Sequence, residues 1–194
     1  MKRLSHAAAL LSAVALGAGC ADRPTAPTAS LLPSFSNGTS GSKHGFGFNG
    51  AASGFPTGAV VLTGGGSYDP ATASNTLPSE TFVHSNGGFG CTADVGQGPL
   101  KGCAAGEGVR WDTAQLLAST TFKCTGSDAG KPAATGDHEV VLLADFYRAG
   151  DGIDESFTAQ MIVSDTDLAP EIPGDQNLWV QGVGCGSAVV HFSS

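Results

Sequence analysis

Four cysteines, Cys91, Cys103, Cys124 and Cys185, have the most definite chemistry open to any residues of this 194-residue chain. Their thiolates either ligate a metal or oxidise in pairs. Structural zinc sites draw on closely spaced cysteines, whereas the successive gaps here are 12, 21 and 61 residues. The spacing therefore points to disulfides, for which four cysteines allow three connectivities. We expect Cys91 with Cys103, closing a local loop that contains Gly and Pro, and Cys124 with Cys185, tying a middle strand to a late one.

Oxygen donors suited to a hard cation gather in two places. Asp151, Asp154 and Glu155 surround Gly152, while Asp165, Asp167, Glu171 and Asp175 flank Pro170 and Pro173. Neither group follows an EF-hand spacing, and solvated turns are the plainer reading. If either binds a metal, Ca²⁺ is the cofactor implied, with Asp151, Asp154, Glu155, Asp165 and Asp167 as ligands. Trp111, Trp179 and Tyr147 are amphipathic rings on which a sugar could stack, although core or rim packing is the commoner use of such residues. His84, His138 and His191, with His44 at the edge of the domain, are the available bases. No G-x-S-x-G elbow, P-loop or H-E-x-x-H motif assigns them a task. The run Gly45-Phe46-Gly47-Phe48-Asn49-Gly50 spells G-x-G-x-x-G, yet it follows a Ser/Gly stretch and precedes no amphipathic helix. It reads as the opening of the first strand region.

The elements that must position these residues are short and β-rich. Strands are predicted at Ala59–Thr63, Thr81–His84, Gly88–Thr92, Gly108–Trp111, Thr120–Cys124, Glu139–Tyr147, Ser156–Ser164, Asn177–Val183 and Ala188–Phe192, each bounded by Gly, Pro, Asn or Asp. Phe157, Ala159, Met161 and Val163 share one face of their strand, as do Ala188, Val190 and Phe192. Val140 to Ala144 is apolar on both faces, which places that strand centrally in its sheet. Residues 139–164 should form the longest hairpin. A short helix is expected over Asp112–Ala118, where Asp112 can cap and Gln115 can return the hydrogen bond. Nine strands without long helices predict an all-β antiparallel sandwich or barrel.

Composition sets the boundaries. Residues 44–194 suit one domain, and the chain holds 29 glycines, the mark of many tight turns. Within that span 16 acidic side chains face five basic ones, a net charge of −11. Such a surface repels phosphate backbones and anionic lipid, so nucleic acid is excluded as a partner by charge.

Lys2 and Arg3 precede an apolar run from Ala7 to Ala18 that closes on Gly17-Ala18-Gly19-Cys20. A basic start, a short apolar segment and small residues describe an export signal, and the run is too short for a transmembrane helix. The segment 1–20 resembles the signal peptide of bacterial lipoproteins, in which the cysteine after small residues is lipidated. Gly17 stands where that family prefers a Leu-like residue. The resemblance implies a lipid anchor at Cys20 as the contact with a membrane and, with Ala21 next, sorting to an outer membrane where the host has one. Taking Cys20 for the lipid leaves an even set of cysteines for disulfides, as an oxidising compartment favours. Residues 21–43, rich in Pro, Thr, Ser and Ala, read as a disordered tether. The sequence thus leads to an exported cell-envelope domain, structural or binding an unknown protein or glycan, with no catalytic constellation. A carbohydrate-binding module, a hydrolase of unfamiliar type and a barrel enclosing an apolar ligand are the rivals.

Overall fold

The computed structural model describes residues 42–77, 80–148 and 156–194. Among them are eleven strands: β1 (His44–Gly54), β2 (Ala59–Tyr68), β3 (Val83–Ala93), β4 (Arg110–Leu117), β5 (Ser119–Phe122), β6 (Lys131–Ala134), β7 (Glu139–Tyr147), β8 (Ser156–Ser164), β9 (Leu178–Val180), β10 (Gly184–Gly186) and β11 (Ala188–Ser193). Pairing is antiparallel and runs mostly between neighbours in sequence, in the order β10-β9-β8-β7-β4-β3-β2-β1-β11. β1 also pairs with β10, through Ser53 to Cys185 and Gly54 to Gly184. Because β10 and β11 are separated by Ser187 alone, they act as one interrupted strand that closes the sheet onto β1. The result is an all-β barrel with a separate β5-β6 hairpin outside it.

Alternation along each strand decides what fills the barrel. Phe46 and Phe48 of β1 point inward while Gly45 and Gly47 do not, so the G-x-G-x-x-G letters spell a strand. Phe89, Trp111, Phe146, Met161 and Val180 join them in one buried cluster. The barrel that holds an apolar ligand needs an empty interior, and this interior is occupied by its own side chains. Outward positions such as Asn49, Asp145 and Thr158 are polar, the reverse of the apolar outer band of barrels that cross membranes.

One strand is apolar on both sides for a reason. Val140, Leu142, Ala144 and Phe146 of β7 enter the barrel, whereas Val141 belongs to a second cluster on the outside, with Ile162, Trp179, Phe122 and Ala133. The β5-β6 hairpin and Ala169, Leu168 and Ile172 cover that outer cluster.

Several expectations are corrected. The helix over Asp112–Ala118 is instead β4, in register with β7 from Arg110–Tyr147 to Leu117–Val141 with an irregularity between Thr113 and Gln115. Adjacent residues of a strand face opposite ways, and the irregularity switches the parity, so that after Trp111 it is Leu116 that faces inside and Leu117 that faces outside. Local capping chemistry lost to a long-range ladder that buries both leucines. Thr81–His84 and Gly88–Thr92 are parts of one strand, β3, since glycines at 87, 88 and 90 lie within it rather than breaking it. Strands β6 and β10 were not expected, and β1 was expected only as the opening of the first strand region at Gly45–Gly50. The β7-β8 hairpin pairs Glu139 with Ser164 through to Tyr147 with Ser156, but β1-β2, from His44–Tyr68 to Ser53–Ala59, is longer by one pair.

Candidate functional site

The strand directions give the barrel two ends with different chemistry. At one end lie the start of β1, the close of β2 and the loop before β7, and their side chains line a cavity of about 220 Å³ with His44, Asp137, His138, Phe192 and Ser193 in its wall. His44 is only 5% exposed. Its Nε2 lies 2.9 Å from Ser42 Oγ and 3.6 Å from Asp137 Oδ1. A serine, a histidine and an aspartate therefore meet here, as a hydrolase would require. They meet at one nitrogen, however. Proton relay needs the hydroxyl and the carboxylate on opposite nitrogens of the ring, so this trio is not a catalytic triad. His138 Nδ1 stands 2.7 Å from Asp165 Oδ2, with the histidine side chain 71% exposed.

Tyr68 braces the same end. Its ring is fully buried and its hydroxyl donates to the carbonyl of Gly136 at 2.7 Å. Burial, reinforced by the Asp137 and Asp165 carboxylates, holds the phenol protonated far above the ordinary range. The folded state thus keeps a proton that the unfolded chain releases near pH 10. Stability is complete below that pH and should fall as pH rises above it. Denaturation midpoints measured between about pH 8 and pH 11 should decline in the parent and lose the Tyr68 contribution to that decline in Tyr68→Phe. An identical slope in both proteins would refute the assignment.

Of the candidate calcium ligands, the described ones, Asp165 and Asp167, have other partners. Asp165 is committed to His138, and Asp167 Oδ1 accepts the backbone N–H groups of Ala169 and Gln176, an internal staple of its loop. Asp151, Asp154 and Glu155 lie outside the described residues, as does Cys20. Among the described residues no three His, Cys, Asp or Glu side chains are placed to hold a metal ion.

The aromatic platform is also corrected. Trp111 is inside the barrel with no exposed surface, because Gly64 opposite it leaves room for the indole. Trp179 is 4% exposed beneath the β5-β6 hairpin, its Nε1 donating to Lys123 O at 2.8 Å. Tyr147 is half-buried, and the guanidinium of Arg110 sits 4.5 Å from its ring centroid. The three rings share no open face. A sugar stacking on this trio has no place to bind.

Both expected disulfides are present, Cys91–Cys103 and Cys124–Cys185. Chain segments next to them line an open cleft of about 290 Å³ at the other end of the barrel. Gly98 and Pro99, inside the Cys91–Cys103 loop, form one wall. Lys123, just before Cys124, and Gln181 and Gly182, shortly before Cys185, form the other. The walls touch where Gly98 and Gly182, both at positive φ, pass so closely that a Cβ on Gly98 would lie 2.6 Å from the Gly182 Cα. Gln97 Nε2 fastens them by donating to Gly182 O and Thr57 O at 2.7 and 2.6 Å. Phe55 and the edge of Trp179 line the cleft as well. Sequence reasoning singled out Trp179 but not Phe55, Pro99, Lys123 or Gln181. Pro99, Lys123 and Gln181 each lie within four residues of a cysteine, the one signal that could have found them, and Phe55 carries no such signal.

Fold and sites together define a closed, internally filled, doubly disulfide-linked antiparallel β-barrel whose cavities are at its ends and surface. Compared with known protein families, curated proteins and solved structures, the chain matches none. Its function is therefore argued from its own geometry.

Proposed function

We propose that the chain is an exported, lipid-anchored cell-envelope protein whose barrel is a non-enzymatic binding domain. The observation that carries this reading is the pairing of all four domain cysteines, which suits an oxidising compartment outside the cytoplasm. It leaves Cys20, in its lipoprotein-like context, as the fifth and unmatched cysteine. A filled interior directs ligand binding to the surface, and the serine and aspartate sharing one nitrogen of His44 argue against a relay there. The acidic domain is kept off anionic lipid by charge, so attachment falls to the acyl chains; stable anchoring of a protein by lipid takes more than one of them.

The test is to produce the full chain in a bacterium with an outer membrane and follow it through detergent phase partitioning and intact-mass measurement. The parent should enter the detergent phase, begin at Cys20 and carry a diacylglyceryl mass. Cys20→Ser should move to the aqueous phase without that mass. A parent protein that is aqueous and unacylated would overturn the anchor.

A further inference from the structure

We propose that the cleft between the two disulfides binds a small aromatic or other flat apolar molecule that ends in an anionic group, with the ring between Phe55, Pro99 and Trp179 and the anion at Lys123. The assignment rests on the binding reading of the barrel and names its ligand class. Ligand sites are concave, apolar in the main, and carry a few convergent polar groups. This cleft has that make-up: Phe55, Pro99 and Trp179 supply apolar surface, while Thr121, Lys123 and Gln181 supply the polar groups.

Size limits the occupant. An engineered apolar cavity of about 150 Å³ accepts benzene, and this cleft, at about 290 Å³, is roughly twice as large. One ring with a short substituent, or two fused rings, fills it.

Charge selects the end group. Lys123 is exposed and enters no salt bridge among the described residues, in a domain where acids outnumber bases by more than three to one. Of the other described cations, Arg110, Lys131 and Arg148 are each paired with a carboxylate, and Lys43 and Lys101, which like Lys123 enter no salt bridge, do not line the cleft. Beyond the hydrogen bond from Thr125, Lys131 and Lys123 both help to keep the neighbouring Asp128 carboxylate ionised. Lys123 is nevertheless in no close ion pair, and an ammonium so placed on the wall of an apolar cleft is complementary to a carboxylate or sulfonate. Long-range repulsion from the remaining acids is screened within about 8 Å at physiological salt.

Rigidity adds to the case. Both walls are covalently tied through the disulfides and locked by the Gly98–Gly182 approach, and Gln181 is anchored because its Oε1 accepts the Gln160 N–H at 3.1 Å. A cleft already held open loses little ordering entropy when it binds.

The probe is 8-anilinonaphthalene-1-sulfonate, a fused aromatic with a sulfonate whose emission rises in apolar surroundings. It is titrated into the purified full-length chain carrying Cys20→Ser, so that no acyl chain competes for it. Saturable binding of one probe per chain is expected, with Kd on the order of 10–100 μM. Lys123→Glu should weaken it about tenfold while leaving binding of the uncharged analogue N-phenyl-1-naphthylamine unchanged. Thr121→Trp, a change at an exposed position on the cleft, should abolish binding of both probes while the near-ultraviolet circular dichroism of the barrel remains folded in character. Non-saturable binding, an undiminished signal in Thr121→Trp, or a Lys123→Glu protein that binds the sulfonate as before would each overturn the proposal. Acylation of Cys20 is read separately, so a failed titration leaves the anchoring reading intact and a failed anchor leaves the cleft standing.

Discussion

Trp111→Ala is expected to destabilise the barrel by about 3–5 kcal/mol, the usual cost of removing a large aromatic from a core that cannot collapse around the loss. The indole has no exposed surface. It packs against Phe48 with ring centroids 5.9 Å apart and donates from Nε1 to the carbonyl of Thr63 at 2.9 Å. Its place exists because β2 carries glycine at 64. A Cβ there would sit 2.6 Å from Trp111 Cζ2 and 2.5 Å from Asn86 O, and at φ +153° the backbone is one that other residues rarely adopt. The surrounding wall is paired backbone on both sides, β2 with β3 and β4 with β7, so it cannot move in to fill the space. The deletion also strands the Thr63 carbonyl unless water enters. Guanidinium unfolding at equilibrium should therefore show a midpoint far below the parent's with a similar slope. A loss under about 1 kcal/mol would mean that the interior repacks and that the glycine pocket is not a fixed shape.

That pocket also marks where sequence reasoning stopped. Period-two alternation correctly assigned the inward faces of β8 and β11, and the doubly apolar run Val140–Ala144 correctly marked β7 as covered on both faces, although a closed barrel has no central strand and the outer cover includes the β5-β6 hairpin. Those signals are local: each depends on which neighbours in sequence share a face. The role of Gly64 depends on Trp111, which is 47 residues away and reaches it only after β3 and β4 have paired. Nothing in the letters near Gly64 announces it. The misread helix over Asp112–Ala118 has the same origin, since capping residues are visible in sequence and the ladder to β7 is not. β6, with Pro132, and β10, with Gly184 and Gly186, carry residues that discourage a strand assignment. β10 is specified by its partner, and β6 lies in an external two-stranded hairpin that covers the outer cluster.

Of the candidate sites, the disulfides were legible and the cleft between them was not. Cysteine spacing disfavours zinc but leaves three connectivities open; the expected one, a local pair with a distant one, is the one present. Knowing that both bonds flank one concavity requires knowing that the Gly98 and Gly182 turns come together at one end of the barrel, a fact of ring closure between β1 and β10. Trp179 illustrates the difference. Its type predicted ligand contact, its burial removed the exposed platform, and its remaining edge lines the cleft. In the 165–175 loop, two of the candidate carboxylates already satisfy local partners, Asp167 its own loop and Asp165 a histidine, which sequence does not distinguish from ligands waiting for a cation.

Removing the Cys124–Cys185 bond should have the second large effect. The bond spans 61 residues, and releasing a loop of that length to the unfolded chain costs about 4 kcal/mol of stability on the chain-entropy treatment, against about 3 kcal/mol for the shorter Cys91–Cys103 loop. For a domain near 150 residues, 4 kcal/mol lowers the melting temperature by roughly 8–16 °C. The double substitution Cys124→Ala with Cys185→Ala should show that drop, and Cys91→Ala with Cys103→Ala a smaller one. Position makes the difference larger than loop length alone. Cys124 and Cys185 belong to the outer cluster that the β5-β6 hairpin covers, and Cys185 sits on β10, opposite Ser53 in the pairing that closes the barrel. Without the bond, the hairpin is still held by side-chain packing, by the donation from Trp179 Nε1 to Lys123 O and by polar ties such as Thr120 to Gln160, Ser119 to Asn75 and Lys131 to Glu171, but it loses its covalent link to β10. Hydrogen exchange should then quicken first in β5, β6 and β10 and last in the β1-β2-β3 wall. If exchange instead quickens uniformly, the bond supports the whole barrel through the unfolded state alone. A loss below about 1 kcal/mol would show that burial, not the cross-link, holds the hairpin, and would remove the physical reason for placing this domain in an oxidising compartment.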